Sequence, residues 1–182
     1  MFANQEETIR ADWSRYESKP FSWSRVFFKV FVKSYVSTSS ISFAFLFWMR
    51  MYRSKNAIIH DFARVKLARF AIKYGVDVSP NASIGPAAYF PHVTAGVVFR
   101  GNLSIGKNFT CLHHVTIGND GHTSDSMTTI GNNCYIGAGA KIFGGVTIGN
   151  DVTIGGGAVV LKNIPDGCTV AGVPARVIAR KS

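Results

Sequence analysis

The second half of the chain keeps a beat of six. Ile130, Ile136, Ile142, Ile148, Ile154 and Val160 recur at intervals of six without a break, and Phe99, Ile105, Cys111 and Ile117 keep the same interval upstream. Such a period fits neither a helix, at about 3.6 residues per turn, nor the alternation of a plain strand, at about 2. It is the signature of a parallel β-helix, in which each hexad supplies one short strand and one corner. The beat residue points inward and stacks on its counterparts in the coils above and below. Small residues follow the beat, as in Ile130-Gly131, Ile136-Gly137, Ile148-Gly149 and Ile154-Gly155, and let the backbone turn the corner.

The coils begin near Val76, with Val78, Ile84 and then Phe90 on the beat. Phe90 to Phe99 is nine residues, so about three are added there. Ile117 to Ile130 is thirteen, which inserts about seven in the polar stretch from Gly118 to Thr129. That stretch, which contains His122, is expected to project as a loop, where function tends to sit on a rigid scaffold. After Val160 the beat ends in the turn sequence Lys162-Asn163-Ile164-Pro165-Asp166-Gly167. The expected organisation is an N-terminal segment over 1–75, a β-helix over 76–164 and a tail packed on the coils over 165–182.

The net charge of +10 is unevenly placed. Residues 1–75 hold 13 Lys/Arg against 5 Asp/Glu, or +8; residues 76–182 hold 7 against 5, or +2. A basic N-terminus is either a solvated face or a contact for an anionic membrane surface or acidic ligand. No nucleic-acid recognition motif accompanies the charge. Cys111, Cys134 and Cys168 lack metal-type spacing, and the first two fall at inward positions, as reduced core cysteines of a cytoplasmic protein would. Acidic Glu6, Glu7 and Asp12 near Met1 are unlike a secretory signal.

Residues 21–53 are rich in aromatics, yet the longest apolar run, Ile41 to Met49, is short of the roughly 20 residues that span a bilayer. Two or three helices are expected, broken over Val36 to Ser40, and packed on the β-helix end or on a neighbouring subunit. Arg50, Arg53 and Lys55 beside the aromatics give a second reading, peripheral contact with the inner membrane. A further helix is predicted over Ala57 to Tyr74, ended by Gly75.

From Tyr74 to Arg180 the chain resembles the hexapeptide-repeat acyltransferases, and most of all their serine O-acetyltransferase branch. The resemblance is carried by Tyr74-Gly75-Val76-Asp77-Val78-Ser79-Pro80-Asn81-Ala82-Ser83-Ile84-Gly85, Pro91-His92, His114-Val115-Thr116-Ile117-Gly118, Ile136-Gly137-Ala138-Gly139-Ala140-Lys141-Ile142 and Ala171-Gly172-Val173-Pro174-Ala175-Arg176. It implies a mainly β fold, a left-handed parallel β-helix with a short α-helical N-terminal segment. It also implies an acetyl-CoA-dependent O-acetyltransferase without a metal, assembled as a homotrimer. His92 then matches the general base and Asp77, fifteen residues earlier, the residue that orients it. An imidazole titrating near 6.5 suits removal of a hydroxyl proton as it attacks a thioester, and a carboxylate stabilises the imidazolium that forms. The resemblance places Ala138 and Gly156 along the pantetheine arm of CoA and Lys162 and Arg176 toward its phosphates, with Arg180 a weaker match. His113 and His114 fall at a corner and are candidates to line the acceptor site.

Two departures bear on the acceptor. Pro91 stands where the serine-specific branch has an acidic residue before its base, and Met127 stands near the position of that branch's loop histidine. A short basic aromatic segment replaces the large helical N-terminal domain of many serine enzymes. These features resemble the O-acetyltransferases of capsule and exopolysaccharide biosynthesis, so a sugar hydroxyl is the expected acceptor and L-serine the alternative. Two other classes compete. A γ-carbonic-anhydrase-type metalloenzyme would need three converging histidines, and neighbours such as His113 and His114 should diverge. A non-catalytic scaffold would have no use for both Asp77 and His92.

Overall fold

The computed structural model describes residues 3–33, 37–79, 82–118 and 127–180. Its N-terminal part is helical: α1 (Ala3–Tyr16), α2 (Trp23–Phe27) continued by a π-helical turn over Phe28–Val32, α3 (Thr38–Met51) and α4 (Ala57–Tyr74). The predicted bounds of α4 hold because both ends are capped. The Asn56 side chain accepts from the N–H groups of Ile58 and Ile59 at 3.0 and 3.2 Å, and Gly75 turns out of the helix at φ 62°. The expected break at Val36 to Ser40 is shorter on its C-terminal side, since α3 already begins at Thr38, and α1 lies before the aromatic stretch, within the 1–75 segment expected to be helical.

Three sheets follow. The first stacks β1 (Val76–Val78), β3 (Val97–Phe99), β6 (Thr116–Gly118), β9 (Lys141–Phe143) and β12 (Val159–Val160). The second stacks β2 (Ser83–Ile84), β4 (Asn102–Ile105), β7 (Met127–Ile130) and β10 (Thr147–Ile148). The third stacks β5 (Thr110–Cys111), β8 (Tyr135–Ile136), β11 (Thr153–Ile154), β13 (Cys168–Ala171) and β14 (Arg176–Arg180). All pairings are parallel except β13 with β14, an antiparallel hairpin that closes the C-terminal end. The chain therefore winds as a parallel β-helix.

The six-residue beat is the core. Phe99 stacks on Ile117 and Ile117 on Ile142, Ile105 on Ile130 and Ile130 on Ile148, Ile136 on Ile154 and Ile154 on Val170. Each of these side chains is buried, and each buried aliphatic contributes about 1.5–3 kcal/mol. At the ends of the polar stretch Gly118 completes β6 and Met127 to Thr129 belong to β7, and the projecting loop expected between them lies outside the described residues. His122 lies outside the described residues.

Corners need left-handed backbone, and this chain fills one column of them with short polar residues. Asn108, Asn133 and Asp151 sit at φ 56–58°, which Asn and Asp tolerate better than other side chains. Asn108 Nδ2 donates to Asn133 Oδ1 at 2.9 Å and Asn133 Nδ2 to Asp151 Oδ1 at 3.0 Å, so the side chains form a ladder along the edge.

The helices cover the open N-terminal end of the coils. Phe45 of α3 meets Phe90 with ring centroids 5.9 Å apart. Three arginines satisfy carbonyls that no further coil could reach: Arg15 donates to Ala87, Arg53 to Ala82, and Arg50 to Ile84 and Gly85. Buried Asp12 pairs with Arg50 Nε at 3.0 Å and accepts from the Ala88 N–H at 3.0 Å. Part of the N-terminal basic charge is thus structural.

Candidate active site

His92 is exposed and enters a 3-10 turn over Val93–Ala95. Val93 is buried, and the Ala95 N–H donates to the His92 carbonyl at 3.1 Å, so the turn is held while the imidazole stays accessible. The turn packs against β1, which carries Asp77. The two residues are thereby brought to one region, but among the described residues no hydrogen bond joins them. Asp77 Oδ2 instead lies 2.7 Å from Arg100 Nε and 2.6 Å from Nη2. Sequence reasoning missed Arg100. Its only signal is that it follows the beat residue Phe99, which pairs with Val78 next to Asp77.

His113 and His114 stand beside His92. The His92 and His113 rings are 5.7 Å apart and edge to face, and His113 and His114 are 5.2 Å apart. His113 Nδ1 is buried and has no hydrogen-bond partner among the described residues. An unmatched buried polar atom costs about 1–3 kcal/mol, and the described residues leave this nitrogen unsatisfied. His114 is exposed and sits at φ 57°, whereas Gly139 and Gly157 occupy the equivalent corner of the next coils at φ 70° and 67°. A left-handed non-glycine residue costs about 1–2 kcal/mol, a cost that His114 shares with Ala87 at φ 59°. Among the described residues no group of three His, Cys, Asp or Glu is arranged to hold a metal ion.

From these imidazoles one corner runs the length of the coils. The His114 N–H donates to Gly96 at 2.7 Å, Gly139 to His113 at 2.9 Å and Gly157 to Ala138 at 2.8 Å. Ala138 and Gly156 therefore follow His113 along a single edge. Gly156 is exposed, and a Cβ there would crowd the Ala138 carbonyl oxygen at 3.2 Å, so the absence of a side chain leaves this stretch of main chain open to a ligand. The tail continues this face, with the Ala175 N–H donating to Val159 at 2.8 Å. Lys162 and Arg176, fourteen residues apart in sequence, line one cleft with Pro174 and Ala175. Arg180 lies at the far end of β14, opposite Cys168.

Known proteins are similar to this chain in sequence and fold. Residues 127–162 match the family model described as bacterial transferase hexapeptide (six repeats). Serine acetyltransferase 5 of Arabidopsis thaliana is 48% identical over 115 residues, covering 63% of this chain and 36% of that protein. The crystal structure of a serine acetyltransferase in complex with coenzyme A from Brucella abortus strain S19 is 30% identical, with a TM-score of 0.74 over 99% of this chain and 70% of that one. Soybean serine acetyltransferase complexed with serine is 31% identical, with a TM-score of 0.68 over 97% of this chain and 70% of that one. The chain spans about a third to a half of the length of the curated relatives it matches. Fold and edge together define a left-handed hexapeptide β-helix of the bacterial transferase type. The chain belongs to the hexapeptide-repeat acyltransferases, in their serine O-acetyltransferase-like branch.

Proposed function

We propose that this protein is an acetyl-CoA-dependent O-acetyltransferase and that its acceptor is L-serine. The observation that carries the reading is the single edge on which accessible imidazoles, a bare small-residue column and a cleft bearing two cations follow one another. CoA, as substrate, fits that edge: Ala138 and Gly156 leave room for the pantetheine arm, and Lys162 and Arg176 supply charge-assisted donors to phosphate. His92 takes the acceptor hydroxyl proton as the oxygen bonds to the acyl carbon. The carbon–sulfur bond then breaks, and the imidazolium returns its proton to the departing thiolate. General-base help of this kind is worth about 10²- to 10⁴-fold. Asp77 acts as the orienting carboxylate once it exchanges Arg100 for His92, and His113 and His114 border the acceptor. A neighbouring copy in a homotrimer completes the groove.

Serine replaces the sugar hydroxyl expected from the sequence, because the relatives and solved structures that align are serine acetyltransferases, one of them complexed with serine. A sugar acceptor stays as the second reading on one observation. Pro91 offers no carboxylate to a serine ammonium beside His92. The test is release of free CoA from acetyl-CoA by purified protein, offered L-serine or mono- and oligosaccharides, with His92→Ala as control. Serine-dependent release that disappears in His92→Ala supports the proposal. Release with sugars alone transfers the activity to a glycan hydroxyl, and absence of both release and CoA binding removes the transferase reading.

A further inference from the structure

The helical cap presents a face that the coils do not use. Along α4, Ile58, Phe62, Val65 and Ile72 recur at helical spacing, and all are exposed, Ile58 and Ile72 at 82% and 88%. On the α2 side Trp23, Phe27 and Phe28 are exposed as well. The two patches are continuous. Phe27 stacks on Phe31 at 4.6 Å, Phe31 meets Trp48 at 5.5 Å, and Trp48 meets Phe62 at 5.3 Å.

Cations stand on this aromatic surface. Lys66, Arg69 and Lys73 rim a cleft whose floor is Phe31, Trp48 and Phe70. Lys66 Nζ lies 5.1 Å from the Phe62 ring centroid, and Lys33 Nζ lies 5.6 Å from that of Phe28. No acidic side chain lines the cleft, and among the described residues none of its three cations makes an ion pair. The nearby acids are engaged elsewhere, Asp61 with Arg64 at 3.5 Å and Glu17 with Lys29 at 2.5 Å.

We propose that this face rests on a membrane surface rich in anionic phospholipid. Exposed aromatics beside unpaired cations match the layered chemistry of a bilayer interface, apolar below the headgroups and anionic at their level. Charge complementarity selects this occupant over a two-fold pairing with a second copy of the chain. A two-fold contact places a patch against itself, which would bring Lys66, Arg69 and Lys73 of two copies together with no carboxylate between them. No described helix is long and apolar enough to cross a membrane, so the contact is peripheral. It is independent of the transferase reading.

The test is co-sedimentation of the full chain with phosphatidylcholine vesicles, with and without phosphatidylglycerol, at low and high salt. Binding is expected only with phosphatidylglycerol and is expected to fade with salt. Each interfacial cation is worth about fivefold, so Lys66→Glu/Arg69→Glu/Lys73→Glu should weaken binding on the order of a hundred-fold or more. Ile58→Ser/Ile72→Ser, at sites too exposed to affect folding, should also weaken it while the mass in solution stays constant. Failure to bind anionic vesicles, or binding indifferent to both variants, overturns the proposal. A fall in mass in Ile58→Ser/Ile72→Ser with vesicle binding unchanged assigns the face to contact between copies instead.

Discussion

Asp77, the carboxylate proposed to orient His92, is held by Arg100 through Nε at 2.7 Å and Nη2 at 2.6 Å. Both side chains are largely open to solvent, at 64% for Arg100 and 44% for Asp77, and exposed pairs of this kind are worth at most about 1 kcal/mol. Arg100 is therefore a weak competitor for Asp77. Arg100→Met should raise kcat by up to about fivefold, and Asp77→Ala should lower it. Steady-state kinetics on the two variants separates the roles; a fall in kcat in Arg100→Met would make Arg100 itself part of the acceptor site.

His114 occupies a corner that glycine fills in the next two coils. Relieving its left-handed backbone in His114→Gly should stabilise the fold by up to about 1 kcal/mol. If the side chain borders the acceptor, kcat/KM for the acceptor falls in the same variant. Thermal unfolding and kinetics on one preparation measure both effects, and a variant that is more stable and equally active would leave His114 without a functional role.

Lys162 and Arg176 share a cleft at the end of the edge. Hydrogen bonds to charged groups contribute about 1.5–3 kcal/mol. Lys162→Ala and Arg176→Ala should each raise the Kd for CoA roughly tenfold or more, with little change in kcat. Isothermal titration with CoA reads this directly, and unchanged Kd values would move the phosphates elsewhere.

Two neighbouring glycines should fail differently. A Cβ on Gly137 would lie 2.5 Å from the Gly156 backbone nitrogen, so Gly137→Ala forces adjacent coils apart, at about 1–3 kcal/mol. Gly156 is exposed, and its added Cβ would press on the Ala138 carbonyl oxygen at 3.2 Å, a contact that a shift of a few tenths of an ångström relieves. Gly156→Leu should cost less stability than Gly137→Ala and lose CoA. Thermal melts with and without CoA distinguish the pair.

The buried pair under the helical cap gives a pH prediction. Burial raises the Asp12 carboxyl above its ordinary value of 3.8, although Arg50 and the Ala88 N–H oppose the shift. A carboxyl raised in the folded state binds its proton more tightly there. Its stabilising contribution is thus fullest below 3.8 and declines as pH rises through the folded pKa. Asp12→Asn should lack that slope, and because it takes the countercharge from the buried Arg50 guanidinium while keeping an acceptor oxygen, it should cost about 1–3 kcal/mol at neutral pH. Arg50→Met leaves a buried carboxylate and two carbonyls without their donor and should cost about 3–5 kcal/mol. Urea unfolding of the three proteins across the acidic range checks both the slope and the ranking.

The β-helix was legible in the sequence because its rule is local and repeated: every sixth residue must be apolar and inward. Even the interruptions could be counted, since the three added residues separate Ile84 from its partner Ile105 and the seven separate Ile105 from Ile130. Helix α4 was legible for the same reason, through a capping glycine that acts within one turn. The sequence also determined which residues could do chemistry, among them His92, Lys162 and Arg176. Their neighbours were decided only in three dimensions. Arg100 reaches Asp77 across a coil boundary, His113 and Gly156 meet one edge through the stacking of separate coils, and Arg15, Arg50 and Arg53 find carbonyls left open where the β-helix ends. Whether an apolar residue is core or surface was decided there too. Burial depends on what packs against a side chain, and nothing in the run from Ile58 to Ile72 says that the coils take the opposite side of the helix.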